Sequence, residues 1–196
     1  MEKNEMPIIL CALLGALAFI LGGIPSLFLI RITFNYLLGV LLSSMISGVL
    51  LGLFLQRRRV LRTALATIAG VSIGFIGSFL LIEGIGALLT EAGINMDGSI
   101  LPDVSVITLM GLVMGSIFGA ILFGKRSIPT FAIICALLCL PAGFMIVALN
   151  QQLSWTAPLI DIQQRIGFDM NLLVTLLAFG LGLGISICRW EKHSNE

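Results

Sequence analysis

The sequence predicts an all-α, polytopic integral membrane protein: a bundle of six transmembrane helices with a short amphipathic helix in the outer loop before the last span. Three observations support this prediction. Of the 196 residues, 58% are hydrophobic and only 11% are charged, whereas a soluble domain carries about 25% charged residues to cover its surface. Six apolar stretches are long enough to cross a bilayer. Finally, the basic residues are concentrated on alternate connections between those stretches.

Each predicted span has about 20 mainly apolar residues, which is the length that a helix needs to cross the hydrocarbon core. The spans cover approximately residues 8–30, 36–55, 63–82, 104–123, 128–149 and 170–188. In lipid such continuous runs are helical, because a helix satisfies its own backbone hydrogen bonds. We expect one transmembrane domain over residues 1–196. The first run is too long, and its flank too acidic, for a cleavable signal peptide, so we expect a retained span.

The charges predict an orientation with both termini inside. Nine of the eleven basic residues fall on one side: Lys3, Arg57, Arg58, Arg59, Arg62, Lys125, Arg126, Arg189 and Lys192. The positive-inside rule makes that side cytoplasmic. Only Arg31 and Arg165 fall on the other side, together with most of the acidic residues. The predicted location is a plasma membrane, specifically a bacterial inner membrane, crossed several times.

The loop at residues 150–169 predicts the short amphipathic helix. Thr156 is a candidate for its amino-terminal cap, with Pro158 in the first turn and Gly167 at its end. One face of this helix carries Trp155, Leu159, Ile162 and Ile166. A helix of this type lies in the membrane interface, with tryptophan as its anchor.

The four cysteines lie in or at the ends of apolar runs, at positions 11, 135, 139 and 188. This placement argues against a disulfide framework, which belongs in polar loops of an oxidising compartment. Cys135 and Cys139 share a helix face, but no further metal ligands stand near them in sequence. We therefore interpret all four as small apolar packing residues and expect neither a metal site nor a cofactor.

Small residues form stripes on several predicted helices. Gly48 and Gly52 are four apart on the second span, and Gly111, Gly115 and Gly119 repeat at the same interval on the fourth. Such stripes let helix backbones approach closely in lipid. They serve either packing within the bundle or contact with a partner subunit, and the sequence does not distinguish the two roles.

Three residues are candidates for a substrate, proton or cation site. Glu83 interrupts an apolar run, and a carboxylate in the membrane is costly enough to suggest a function. The alternative is an ordinary acid at the interface, because Glu83 lies near the predicted end of the third span. Pro141 removes a backbone donor in the middle of the fifth span and is expected to kink it. Asp103 begins the fourth span and belongs, with Glu83, to an acidic outer vestibule.

The connection at residues 56–62 carries a dense basic cluster formed by Arg57, Arg58, Arg59 and Arg62. Beyond its role as a topology signal, this cluster is a candidate contact for anionic lipid headgroups or for a cytosolic partner. The expected partners are therefore the lipid bilayer and either other membrane subunits or a protein bound at this loop. Nothing in the sequence indicates nucleic-acid binding.

Three functional classes remain. The leading one is membrane transport of a small solute, by a small carrier or by the membrane-embedded subunit of a multi-component transporter. The second is a non-catalytic structural or assembly subunit of a larger membrane complex. The third is an intramembrane enzyme, which is disfavoured because nucleophile, acid–base and metal motifs are lacking and the single histidine, His193, lies in the polar tail.

The six-helix architecture is similar to that of the substrate-capturing subunits of vitamin transporters powered by separate ATPases. Ala12 and Ala16 reproduce the AxxxA pattern found on the first helix of those subunits. The loop and ligand motifs of that family are not recognisable in this sequence, so we do not assign the chain to it.

Overall fold

The computed structural model describes residues 7–33, 36–91, 101–166 and 169–193, and this part of the chain contains helices and no β-strand. The helices are α1 (Ile8–Thr33), α2 (Tyr36–Leu55), α3 (Val60–Glu91), α4 (Leu101–Phe123), α5 (Ile128–Asn150), α6 (Ala157–Ile166) and α7 (Met170–His193). Three short 3₁₀ turns, Arg57–Arg59, Lys125–Ser127 and Ser154–Thr156, precede α3, α5 and α6.

All the helices except α6 are long and apolar enough to cross a membrane, with mean hydropathies of 2.0 to 2.7 over their apolar windows. The prediction of an all-α fold with six candidate spans is confirmed. The largest difference in bounds concerns α3, which continues to Glu91, well past the predicted boundary at residue 82. At about 1.5 Å per residue, its 32 residues extend about 48 Å.

The six long helices form a closed ring. Helices α1 to α5 each pack against their neighbours in sequence, and α7 packs against both α5 and α1. Adjacent helices run antiparallel, as the contacts of Gly48 with Ala64 and of Gly52 with Val60 show for α2 and α3. We call the end that carries Arg57–Arg59, Lys125–Ser127 and the carboxyl end of α7 the inner end of the bundle. The opposite end, which carries α6, is the outer end.

The interior of the ring is filled by large apolar side chains. Phe19 from α1, Met114 and Phe118 from α4, Phe131 from α5 and Leu183 from α7 are almost completely buried. Among them are buried hydroxyl groups that bond to their own helices. The Thr67 hydroxyl donates to the Thr63 carbonyl at 2.9 Å, and the Ser186 hydroxyl donates to the Gly182 carbonyl at 2.7 Å. Such bonds let a polar side chain be buried without a partner on another helix.

Helix α6 occupies the position expected for the amphipathic loop helix, although Thr156 acts differently from the prediction. Its hydroxyl donates to the Leu153 carbonyl at 2.8 Å and thus stabilises the preceding 3₁₀ turn. Trp155 and Ile162 are exposed, and Arg165 pairs with Asp161 at 2.9 Å one helical turn away. The predicted end of this helix at Gly167 lies outside the described residues.

The outer part of α3 extends beyond the packed bundle. Between Phe79 and Leu88 most side chains are exposed, including Leu80 at 63% and Leu88 at 67%. A methyl group placed on Gly77 or Gly84 would meet no atom within 4 Å. No other described element packs closely around this stretch of apolar helix.

Candidate functional site

Glu83 and Pro141, the two transport candidates whose side chains the structure describes, do not converge on a common cavity. Glu83 lies on the outer part of α3, where its side chain is exposed and makes no hydrogen bond or ion pair with the described residues. Helix α5 continues through Pro141, which is exposed on the outside of the bundle. Asp103 lies in the first turn of α4, and its side chain lies outside the described part of the chain. The interior of the bundle is therefore lined by other residues.

The glycine stripe on α4 faces α5. A methyl group on Gly115 would lie 2.5 Å from the carbonyl oxygen of Phe131, and one on Gly111 would lie 2.9 Å from the carbonyl oxygen of Cys135. The corresponding distance from Gly119 to the Ser127 hydroxyl is 3.0 Å. Gly111 and Gly115 thus allow backbone-to-backbone contact between the two helices, and Gly119 leaves room for the side chains of Ser127 and Phe131.

The glycine stripe on α2 faces α3 in the same way. A methyl group on Gly48 would lie 2.7 Å from the Cα atom of Ala64, and one on Gly52 would lie 2.8 Å from the Cα atom of Val60. Between α1 and α7 the approach is closer still, because Gly15 and Gly180 lie against each other. The structure therefore places both predicted stripes between helices of this chain.

The cysteines provide a correction. Cys11 near the start of α1 and Cys188 near the end of α7 form a disulfide, with Cα atoms 6.3 Å apart. The interpretation of all four cysteines as unpaired packing residues is wrong for this pair, because close packing of α1 against α7 brings together residues 177 positions apart. Cys135 and Cys139 are free and buried, and they pack against the glycines of α4.

Counting the reactive thiols tests both the Cys11–Cys188 disulfide and the predicted orientation of the bundle in the membrane. We expect mild oxidation of the purified protein to leave two thiols reactive to a maleimide after denaturation, and reduction to restore four. Four reactive thiols after oxidation would contradict the pairing. Cys188→Ser should give three under both conditions. If the inner end faces a reducing cytoplasm, Cys11 and Cys188 are adjacent thiols in the cell and form their disulfide only on oxidation. Trapping thiols in intact cells should then yield four, and a count of two there would contradict that orientation.

The inner end is held together by an aromatic and cationic cluster centred on Arg59. The Arg59 guanidinium donates to the Leu122 carbonyl at the end of α4 at 3.0 Å and lies 5.9 Å from the centre of the Phe123 ring. Phe123 contacts Trp190 of α7, with ring centres 6.3 Å apart, and Phe131 of α5, at 5.5 Å. Arg59 therefore joins the turn before α3 to the end of α4, and Phe123 of α4 in turn contacts α5 and α7.

A second polar contact closes the inner end. The Gln56 side chain, which is buried after the last turn of α2, donates from Nε2 to the Glu191 carboxylate of α7. A carboxylate bonded by an amide is well suited to a partly buried position. The sequence contained no signal for this contact, because the two residues are 135 positions apart. The same holds for the contact between Phe123 and Trp190.

The other three arginines of the predicted cluster are exposed. Arg57 donates from Nε to the Leu53 carbonyl in the last turn of α2 at 3.3 Å. Arg58 and Arg62 make no hydrogen bond or ion pair with the described residues. All four arginines of the predicted basic cluster are thus exposed at the inner surface, and Arg59 differs from the other three by its contacts with Leu122 and Phe123 of α4.

The described residues contain no group of three or more His, Cys, Asp or Glu side chains that could hold a metal ion. A comparison of this chain with protein-family models, with curated proteins and with solved structures finds no match. The functional interpretation therefore depends on the geometry of the bundle and on its surfaces.

Proposed function

We propose that this chain is a multi-pass membrane protein that moves a small solute, as a small carrier or as the membrane-embedded subunit of a multi-component transporter. The observation that carries the proposal is the closed ring of six membrane-length helices, in which the predicted glycine stripes face neighbouring helices of the same chain. Because the glycine stripes of α2 and α4 are used for packing within the bundle, they favour a self-contained protein over a subunit that binds a partner through those glycines.

The proposed placement has both termini in the cytoplasm of a bacterial cell and the inner end at the cytoplasmic surface. Its support is the basic residues exposed at that end, Arg57, Arg58, Lys125 and Arg126. Helix α6 then lies at the outer surface. Trp155 in the 3₁₀ turn before this helix and Ile162 within it are exposed, which suits the membrane interface.

Purification from native membranes in mild detergent, followed by native gel electrophoresis and mass spectrometry, tests the proposal. A companion ATPase would support the multi-component form, and an isolated monomer or homo-oligomer would support the carrier form. Reconstitution into vesicles and uptake assays with a panel of cationic, neutral and anionic solutes then follow. Absence of uptake by both the isolated chain and any complex that contains it would contradict the transport proposal.

The charge of the outer end leads to a prediction about uptake. Glu83 and Glu91 are both exposed there, so they should raise the local concentration of cationic solutes. We expect Glu83→Gln combined with Glu91→Gln to lower the uptake rate of a cationic substrate several-fold at low ionic strength, and much less at about 0.5 M salt, where surface charges are screened.

The control for this experiment is Glu83→Asp combined with Glu91→Asp, which keeps both charges and should preserve the rate. An unchanged rate in the neutral variant at low salt would contradict electrostatic attraction at this surface. An effect that persists unchanged at high salt would point instead to direct participation of a carboxylate in transport.

One observation favours a second candidate, a non-catalytic subunit of a membrane assembly. Leu80, Leu81 and Ile85 on the outer part of α3 are each more than half exposed, and the helix is longer than a bilayer requires. Such an apolar extension would be covered in a larger complex. Stoichiometric membrane partners without an ATPase, recovered in the purification described above, would favour this candidate over transport.

A further inference from the structure

A cleft opens between the amino end of α5 and the carboxyl end of α7, at the inner end of the bundle. Its volume is about 270 Å³, and it is lined by Pro129, Thr130, Ile133, Ile134, Arg189 and Trp190. The two helices are in close contact further toward the centre, where a methyl group on Gly182 would lie 3.1 Å from the Cα atom of Cys135. Toward the inner end, the large side chains of Arg189 and Trp190 replace glycine on α7, and the cleft lies beside them.

The polar part of this cleft is cationic. Arg189 is exposed and makes no hydrogen bond or ion pair with any described residue, and the described residues that line the cleft include no carboxylate. The neighbouring Glu191 carboxylate accepts a hydrogen bond from Gln56, which follows the last residue of α2. The amino end of α5 adds a partial positive charge. No side chain caps that end, because the Ser127 hydroxyl donates to the Gly124 carbonyl.

The remaining wall is apolar and continues along the membrane-facing side of α5. Ile133 lies in the cleft and is 58% exposed, and Leu137, one turn further toward the bundle centre, is 64% exposed. Trp190 forms the opposite wall, where its ring is held against Phe123. A ligand that fits this surface has an anionic head near Arg189 and a hydrocarbon chain along Ile133 and Leu137.

Under the proposed membrane placement, the cleft lies at the depth of the lipid headgroups. Arg189 follows Met170, the first residue of α7, by 19 positions, which corresponds to about 28 Å along the axis. This is close to the thickness of the hydrocarbon core. Pro129 and Thr130, in the first turn of α5, reach the same level from the other side of the cleft.

We propose that this cleft binds the headgroup of one anionic phospholipid of the inner leaflet, with its phosphate on Arg189 and one acyl chain along Ile133 and Leu137. Basic clefts between transmembrane helices on the cytoplasmic side recognise lipids of this charge, and guanidinium binds phosphate through paired hydrogen bonds. The inference rests on the membrane placement proposed above but does not depend on transport.

Quenching of Trp190 fluorescence by brominated lipid tests this site. The chain has two tryptophans, so Trp155→Phe leaves Trp190 as the only reporter. This variant is reconstituted in phosphatidylcholine vesicles that contain either brominated phosphatidylglycerol or brominated phosphatidylcholine. We expect Trp190 to be quenched at about tenfold lower mole fraction of the anionic lipid, which is the gain that one charge-assisted hydrogen-bonded contact provides.

Variants in the same background identify the cation responsible. Arg189→Gln should bring the ratio of the two quenching mole fractions, phosphatidylcholine to phosphatidylglycerol, close to one. Arg189→Lys should retain part of the preference for the anionic lipid. Arg58→Gln, which removes an equal charge from the inner surface outside the cleft, should leave the preference intact. Equal quenching by both lipids in the parent protein would overturn the proposal, and so would a preference that Arg58→Gln abolishes as fully as Arg189→Gln.

Two further outcomes separate this site from its alternatives. If inorganic phosphate at about 50 mM removes the preference while sodium chloride of equal ionic strength does not, the cleft binds a soluble anion and the lipid assignment is wrong. If neither brominated lipid quenches Trp190, the membrane placement itself fails. Quenching without headgroup preference, by contrast, rejects only the lipid site and leaves the proposed function standing.

Discussion

Gly115→Ala is expected to lower the free energy of unfolding by about 1–3 kcal/mol, the usual cost of adding a methyl group to a packed interior. The added carbon would lie 2.5 Å from the carbonyl oxygen of Phe131 and 2.9 Å from its carbonyl carbon. These are backbone atoms of another helix, so they cannot rotate away as a side chain could. Relief therefore requires α4 and α5 to separate, which also loosens the contacts around Phe118.

The measurement is unfolding in mixed detergent micelles, followed by far-ultraviolet circular dichroism. Gly77→Ala in α3 is the matched control, because a methyl group there meets no atom within 4 Å. Alanine is favoured over glycine in a helix by up to about 1 kcal/mol, so the control should be neutral or slightly more stable. Equal destabilisation by both substitutions would show that α4 and α5 are not packed as described.

Arg59→Ala is expected to lower the free energy of unfolding by about 1–2 kcal/mol, because it removes two contacts of one guanidinium. A hydrogen bond from a charged donor contributes about 1.5–3 kcal/mol in a buried setting, and partial exposure reduces that amount. The contact with the Phe123 ring adds about 0.5–1 kcal/mol. In the Trp155→Phe background, the emission of Trp190 should also shift, since Trp190 packs on Phe123.

Arg58→Ala provides the control for charge and position, since Arg58 is exposed and unpaired within the described part of the chain. Its effect should stay within about 0.5 kcal/mol, as is usual for surface substitutions. Arg59→Lys should recover only part of the loss, because lysine cannot reproduce the planar guanidinium. If Arg58→Ala and Arg59→Ala lower the free energy of unfolding equally, the four arginines act only through their charge. The contacts of Arg59 with Leu122 and Phe123 then do not stabilise the bundle.

The six long helices could be predicted from the sequence because the pattern that specifies them is local. Each needs about 20 apolar residues in succession, and a run such as residues 128–149 contains that information within itself. The bounds were less accurate where the apolar pattern fades gradually. In α3, apolar residues continue past Glu83, which indicates that the helix extends beyond the span, and the structure places Glu91 within that extension.

The candidate site was predicted less well, because it depends on contacts between distant residues. Glu83 was singled out for its charge in an apolar run, yet it lies on an exposed part of α3. The contacts of Gln56 with Glu191 and of Cys11 with Cys188 connect α2 and α1 with α7. No local signal marks these pairs, since each residue is unremarkable among its own neighbours.

The sequence by itself determined the all-α class, the six membrane-length helices and the concentration of basic residues at one end, because hydrophobicity and charge act residue by residue. Only the tertiary structure decided that the ring closes through α7, that the glycines of α2 and α4 face helices of the same chain, and that Arg59 differs from Arg58. These outcomes depend on which helix faces meet. In lipid, the faces that pack together are selected by their shape and by how closely the two backbones can approach. Neither property can be read from a run of apolar residues in the sequence.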